Sequence, residues 1–252
     1  MANKGETKTQ KKLSVSKVRN IARKGKERFV QKSKPGAHSK HTSVPLAFAL
    51  RNLLGIADNA KEAKNIINRG AIKVNGVERK DTHFNVGLFD LIENMIEKKK
   101  YRAVYDNHGR LELVDVDKKT KDEKLCRIVR KKTMQGGITQ LTASDGSTFK
   151  EKKTSIKVGD SVKVELPSRK IIANYGLKKG NTVYVTGGTH VASIAKIQGI
   201  IDGTMNRPKL VELERKGDKF LTVQKNVFVI GEGKSEIETG KEVSGKDKEA
   251  GE

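Results

Sequence analysis

Twenty-four glycines punctuate the 252-residue chain, and past residue 100 the apolar residues between them alternate or come in runs of a few. Such a pattern favours several small sheets joined by tight turns over one helical bundle. The exception lies at 45–77. Pro45 stands where a helix can begin, with Ser43 as a candidate cap, and Leu46, Ala49, Leu50, Leu53 and Leu54 recur at helical spacing until Gly55. A second helix is predicted from Asp58 or Asn59, with Ala60, Ala63, Ile66 and Ile67 inward and Gly70 as its stop. Ile72 and Val74 alternate with Lys73, and Asn75-Gly76 closes a predicted hairpin onto Val77.

Further strands are predicted around Val86, Leu91-Ile92 and Tyr101-Arg102-Ala103-Val104-Tyr105, with a turn at 106–110 and a return through Leu111 and Leu113. Residues 115–124 read as a solvated loop or polar helix. Strands resume at Leu125, and Ile156, Val158, Val162, Val164 and Leu166 are expected to point inward. The expected fold class is α+β and multi-domain, a small helical module followed by mostly β small-barrel domains. The expected boundaries are a basic arm at 1–42, the helix–helix–hairpin module at 43–100, a central β domain at 101–174, a further β domain at 175–231 and a polar tail at 232–252.

Charge restricts the partners. The chain carries a net +23, and residues 1–41 alone hold thirteen Lys or Arg against Glu6 and Glu27. Like charges at this density repel within the roughly 10 Å screening length of salt, which a polyanion lying on the surface relieves. Nucleic acid is the polyanion expected. The arm is predicted to have few side chains to bury, apart from one short basic helix within residues 14–24, and to order on phosphate. The tail carries seven acids against four lysines and is expected to be disordered. With one cysteine, Cys126, a disulfide scaffold is excluded, and no stretch reaches the ~18 apolar residues of a membrane span. Residues 1–40 lack a signal-peptide core, so a soluble, cytoplasmic protein without a membrane partner is expected.

Chemistry-bearing motifs are few. Gly231-Glu232-Gly233-Lys234-Ser235 resembles the end of a phosphate loop, but Phe228 occupies the place of its first glycine. His38 and His41 are three apart, while His83, His108, His190 and Cys126 are scattered, so neither a metal site nor any cofactor is expected. Asp106, Asp145, Asp160 and Asp202 each adjoin Gly or Asn and read as turn formers. No catalytic residue is expected. The module instead concentrates cations: Lys61 and Lys64 one helical turn apart, Arg69 near the helix end, Lys73 on the outward face of the hairpin, Arg51 on the first helix, and Arg79-Lys80 after the hairpin. Cations on short rigid elements suit recognition of folded RNA by shape and phosphate position.

The run Ala60-Lys61-Glu62-Ala63-Lys64…Arg69-Gly70-Ala71-Ile72-Lys73-Val74-Asn75-Gly76 resembles the RNA-binding module shared by bacterial and archaeal small-subunit ribosomal protein four, pseudouridine synthases and tyrosyl-tRNA synthetases. That resemblance implies RNA contacts at Arg51, Lys61, Lys64, Arg69 and Lys73, with Arg79 behind them. A second stretch, Lys179 to Gly188 with Val185-Thr186-Gly187-Gly188, is similar to the opening of a KOW motif. Where that family carries glycines this chain has Ala192 and Ala195, and Ser193 stands where a basic residue is usual.

Taken whole, the order of parts is similar to the archaeal and eukaryotic "e"-type small-subunit ribosomal protein four family. The matching pieces are Pro35-Gly36-Ala37-His38, Leu50-Arg51-Asn52, Tyr105-Asp106-Asn107-His108-Gly109-Arg110, Val185-Thr186-Gly187-Gly188 and Asn226-Val227-Phe228-Val229-Ile230-Gly231. Residues 1–29 depart, since relatives usually carry a Trp near Phe29 and this chain has none. The resemblance implies a non-enzymatic constituent of the small ribosomal subunit, a monomer among neighbouring ribosomal proteins, bound to small-subunit ribosomal RNA, and a compact chain of archaeal type. Candidate RNA contacts are Lys34, His38, Lys40 and His41 in the arm, Arg51, Lys61, Lys64, Arg69, Lys73, Arg79 and Lys80 in the module, and Arg110 and Lys179 beyond it. The alternatives are an RNA-modifying enzyme or its accessory subunit, and a KOW-containing transcription factor.

Overall fold

A computed structural model of the protein describes residues 7–21, 24, 28–117, 122–152, 154–215 and 217–233. The expected tail and the phosphate-loop-like Lys234 and Ser235 lie largely or wholly outside the described residues. The architecture is α+β, with two short helices and several antiparallel sheets.

In the arm, β1 (Thr9–Lys11) pairs antiparallel with β2 (Phe29–Gln31). The short helix expected within residues 14–24 is absent among the described residues; a single 3-10 turn at Lys12–Ser14 precedes irregular chain. The arm also buries more than its composition suggests. Val15 and Val30 are buried, Val18 and Ile21 pack on the main core, and Leu111 donates its amide to the Val18 carbonyl at 2.9 Å. Arg19 is 4% exposed, donating to the carbonyl oxygens of Gln31 (3.0 Å) and Ser43 (3.4 Å) and to the Ser33 hydroxyl. Burial lowers its guanidinium to about 10. The described arm is thus tied to the body by protein contacts, not left to order on phosphate alone.

A two-residue strand, β3 (Val44–Pro45), leads into α1 (Leu46–Phe48), which continues as a π-helical turn at Ala49–Leu53. Pro45 caps this helix with its fixed φ of −65°, whereas the Ser43 hydroxyl donates back to the Ser39 carbonyl at 2.7 Å. The second helix, α2 (Ala60–Asn68), follows Asn59, and Glu62 accepts the Asp58 amide at 3.0 Å. Ala63 and Ile67 are fully buried, Ile66 is half-buried and Ala60 is exposed. Gly70, at φ +74°, ends the helix in the left-handed conformation that glycine tolerates.

The hairpin joins β4 (Ile72–Val74) to β5 (Val77–Glu78), with Asn75 and Gly76 both at positive φ as a two-residue turn of this kind requires. After β6 (Asn85–Val86), which pairs with β3, come β7 (Leu91–Asn94), β8 (Lys99–Tyr105) and β9 (Leu111–Val116). The resulting order is β5-β4-β7-β8-β9, so strands on both sides of residue 100 share one sheet.

The next sheet, of order β12-β11-β10-β13-β14, is built on the long strand β10 (Glu123–Thr133), with β11 (Thr139–Ala143), β12 (Thr148–Glu151), β13 (Ser161–Glu165) and β14 (Ile171–Tyr175). One half of β10 pairs with β13 and the other with β11, a register shift falling between Ile128 and Arg130. Cys126, Ile128, Leu141, Phe149, Ile156, Val162 and Val164 form its own core. Val158 was expected inward but is 52% exposed, because it sits on the 158–159 turn outside β13.

The last sheet has order β18-β17-β16-β15-β19, from β15 (Thr182–Val185), β16 (Ile194–Ile201), β17 (Leu210–Arg215), β18 (Asp218–Val223) and β19 (Val227–Gly231). Its core is continuous with that of the helices and first sheet. Phe89, fully buried and at φ +61°, packs its ring centroid 5.5 Å from Tyr184 and 4.9 Å from Phe228. The Tyr184 hydroxyl accepts the Tyr105 amide and donates to the Tyr105 carbonyl, both at 3.0 Å. Ala192, standing where the KOW family carries glycine, takes φ +60° all the same, a conformation that costs an L-residue roughly 1–2 kcal/mol.

Candidate nucleic-acid interface

Helix α2 buries Ala63 and Ile67, and helical geometry then turns Lys61, Lys64 and Arg69 outward, where all three are exposed. Arg51 extends from the π-helical turn, its Nε donating to Asn52 Oδ1 at 3.1 Å. Lys73 does face away from the core, but its cross-strand neighbours are Glu78 and Glu93, so carboxylates flank it on both sides. The Arg79 guanidinium stacks 4.5 Å above the Phe84 ring, and Lys80 lies 3.4 Å from Glu78. These contacts draw Lys73, Arg79 and Lys80 toward the protein, while the α2 cations keep their full reach into solvent.

In the arm, Lys34, Lys40 and His41 are exposed. Lys34 is 3.2 Å from Asp81, whose carboxyl is held below the ordinary range: burial opposes this, but the His83 amide and Lys34 outweigh it. His38 corrects its expected role. Its side chain is only 9% exposed and its Nε2 lies 2.9 Å from Asp90 Oδ2, so the ring turns inward instead of meeting phosphate. Lys34, Lys40 and Lys64, distant in sequence, converge on one groove. Arg110 is elsewhere, in a smaller cleft with the arm residues Lys12 and Lys17, and Lys179 stands exposed on the turn before β15.

Beneath the groove lies a charge cluster that the sequence reading missed. Lys124 Nζ sits 2.7 Å from Asp90 Oδ1 and 2.6 Å from Asp145 Oδ2, with the lysine side chain 5% exposed. Asn75 Nδ2 donates to Asp90 Oδ1 at 2.8 Å and the Gly87 amide to Asp90 Oδ2 at 2.8 Å. The Ser147 amide and hydroxyl satisfy Asp145 at 3.0 and 3.1 Å. Burial alone would raise the Asp90 carboxyl, yet the Lys124 and His38 charges hold it well below the ordinary carboxylate range; Asp145 is likewise lowered, chiefly by Lys124 against its burial. Lys124 is raised in turn, its two carboxylates outweighing its own burial. Burial, with Asp145 adding to it, pushes the Cys126 thiol up against the opposing charge of Lys124.

Asp160 and Asp106 hold local backbone amides as expected of turn formers, whereas Asp202 forms an ion pair. Both Asp160 oxygens accept backbone amides, from Leu177 at 2.9 Å and Lys157 at 2.8 Å. Asp106 accepts the Asn107 amide at 2.6 Å, and Asp202 pairs with Lys209 at 2.8 Å. Among the described residues, no group of three or more His, Cys, Asp or Glu is placed to hold a metal ion. No helix among them is long and apolar enough to cross a membrane.

Known proteins give the context for this surface. The sequence profile described as ribosomal family S4e matches residues 97–171. The small ribosomal subunit protein eS4 of Methanococcus aeolicus is 36% identical over 246 residues, covering 94% of this chain and 99% of its own length. Its counterpart in Methanothermobacter thermautotrophicus is 37% identical over 211 residues, covering 83% of this chain and 87% of its own. The crystal structure of the 30S ribosomal protein S4e from Thermoplasma acidophilum superposes with a TM-score of 0.66 at 34% identity, over 75% of this chain and 95% of that one. With similarity running through nearly all of the chain, at this identity and with a matching fold, the protein belongs to the S4e family of ribosomal proteins.

Proposed function

We propose that the protein is a structural constituent of the small ribosomal subunit that holds folded ribosomal RNA through phosphate and shape contacts. The observation that carries this reading is the 36% identity to an eS4 protein across 94% of the chain. The exposed cations of α2 supply the means: Lys61, Lys64 and Arg69 project from a helix whose other face is locked in the core. Lys34, Lys40, His41, Arg51, Arg110 and Lys179 extend the contact set, with Lys73, Arg79 and Lys80 as shorter-range partners; His38 leaves it because its ring is buried. The protein works in the cytoplasm on the ribosome, as a single copy beside other ribosomal proteins. The relatives from Methanococcus and Thermoplasma support an archaeal origin.

Within this reading the arm (1–42) threads between RNA elements, and the module (43–100) and the rigid β regions at 101–174 and 175–231, the second being KOW-like, dock on folded RNA. Support for that likeness is the tight turn region between β15 and β16, which adopts positive φ at Gly188 and Ala192. An RNA-modifying enzyme finds no support in the turn-bound aspartates. The test is sedimentation: after a high-salt wash the protein should remain with small ribosomal subunits, and recovery only in the soluble fraction or with RNA polymerase would overturn the proposal.

A further inference from the structure

We infer that Asn75 is a modification site held latent by the fold, a self-deamidating asparagine whose conversion to aspartate or isoaspartate follows opening of the β4–β5 hairpin. Of the asparagines in the chain, Asn75 alone is followed by glycine. Glycine carries no side chain beside its amide nitrogen, so that nitrogen reaches the preceding side-chain carbon more readily than one crowded by a Cβ. The step is an acyl transfer within the chain. Hydroxide takes the Gly76 amide proton, and the Gly76 nitrogen attacks Asn75 Cγ. The new C–N bond closes a cyclic imide, the Cγ–Nδ2 bond breaks, and Nδ2 leaves as ammonia after taking a proton from water. Water then opens the imide at either carbonyl, giving aspartate or isoaspartate at position 75.

The folded chain holds both reacting groups away from this course. Asn75 Nδ2 donates to Asp90 Oδ1 at 2.8 Å, and Asn75 Oδ1 accepts the Leu91 amide at 2.9 Å. Attack requires Cγ to swing over the Gly76 nitrogen, so both bonds must break first. The backbone is pinned as well. The Asn75 amide donates to the Leu91 carbonyl at 2.8 Å, and Asn75 and Gly76 hold φ of +53° and +73° in the turn. Pro167, beyond β13 of the middle sheet, covers that turn so closely that a Cβ on Gly76 would lie 3.1 Å from its own Cβ. A reaction that needs the side chain, the turn and its cover to move proceeds from a locally opened state and not from the native one.

The product is unable to resume the same contacts. Aspartate at position 75 has no N–H to give Asp90, and it would set a second carboxylate against one that is 1% exposed. Lys124 is already shared between Asp90 and Asp145, so no cation of the cluster is left for it. Isoaspartate also lengthens the main chain of a two-residue turn by one methylene, against the Val74–Val77 and Lys73–Glu78 register. A chain that has opened long enough to react is thereby marked, and its hairpin closes less well afterwards. Nothing in this chemistry requires RNA, so its test can fail while the proposed function stands.

The experiment incubates the full chain at mildly alkaline pH, native and in guanidinium chloride, and follows every asparagine by peptide mass spectrometry. In guanidinium chloride Asn75 should convert ahead of all others, and Gly76→Ala should slow it severalfold there, where no fold is at stake. In the native chain conversion at Asn75 should be about 30-fold slower or more, because only the opened fraction reacts. Equal rates in native and denatured chains, no conversion in denaturant, or faster conversion at another asparagine would overturn the site. The consequence is read from urea unfolding of Asn75→Asp beside Asn75→Gly, which suits a positive φ and removes the same side-chain bonds without adding charge. Asn75→Asp should unfold at a clearly lower urea concentration, or fail to fold where Asn75→Gly folds. Equal or reversed midpoints, or failure of both variants to fold, would trace the damage to the missing bonds and overturn the clash with Asp90.

Discussion

Lys124 Nζ stands 2.7 Å from Asp90 Oδ1, an ion pair in which neither side chain is more than 5% exposed. Asp90 precedes β7 in the first sheet and Lys124 lies on β10 in the second, and Lys124 reaches on to Asp145 at 2.6 Å. His38 of the arm closes on the same Asp90 at 2.9 Å. One ammonium therefore joins three parts of the chain. Two buried carboxylates share it, and replacing it leaves Asp145 with only the Ser147 donors and Asp90 with His38, Asn75 and the Gly87 amide.

The first expectation follows from that dependence. Lys124→Ala should destabilise the protein by about 3–5 kcal/mol, the usual cost of leaving buried charge unpaired. Urea unfolding followed by circular dichroism measures this, and a shift within 1 kcal/mol would mean that water reaches the cluster.

The same cluster sets the acid limit. Asp90 and Asp145 have folded-state pKa values below the ordinary carboxylate value, so their stabilisation is fully present above the unfolded value of about 3.9 and is lost as pH falls through the folded values. Stability should be nearly level from about pH 7 to pH 5 and fall steeply below about pH 4. The Asp145→Asn variant should start lower at neutral pH and show a shallower acid limb.

Gly87 has room for no side chain, because a Cβ there would lie 2.4 Å from the His38 ring. Gly87→Ala should cost about 1–3 kcal/mol by forcing the ring off Asp90. In a His38→Ala background the same change should cost little. The double-mutant cycle reads this directly, and equal costs in both backgrounds would place the strain elsewhere.

Tyr184 ties the third sheet to the first through both backbone groups of Tyr105. Burial raises the Tyr105 hydroxyl to about 12 and the Tyr184 hydroxyl further, its burial outweighing the bond to Tyr105, so both stay protonated at neutral pH. Tyr184→Phe keeps the ring against Phe89 but leaves two backbone groups without that partner, and should lower stability by about 1–3 kcal/mol in thermal or urea unfolding.

How far the sequence was legible depended on the range of each signal. Helix α2 and the β4–β5 hairpin were readable because their determinants are local: Ala63 and Ile67 at helical spacing, Gly70 as a stop, Asn75-Gly76 as a turn. The family resemblance was readable because its motifs are contiguous. The cluster around Lys124 was not. Asp90 and Asp145 lie 34 and 21 residues away in sequence, and nothing local to either, Asp145 reading as a turn former beside Gly146, signals a shared lysine. His38 misled for the same reason, and Arg19 gave no signal, since a cation in a basic arm carries no local sign that it will be buried against an aspartate or among carbonyls.

The central claim is that this basic surface exists to hold small-subunit ribosomal RNA. Its most direct test is the affinity of the purified full chain for that RNA across a salt series, beside random RNA of equal length. Neutralisation of about ten phosphates predicts a log–log slope of about −7 to −9 and a clear preference for the ribosomal RNA. A flat salt dependence, or equal affinity for the two RNAs, would contradict it.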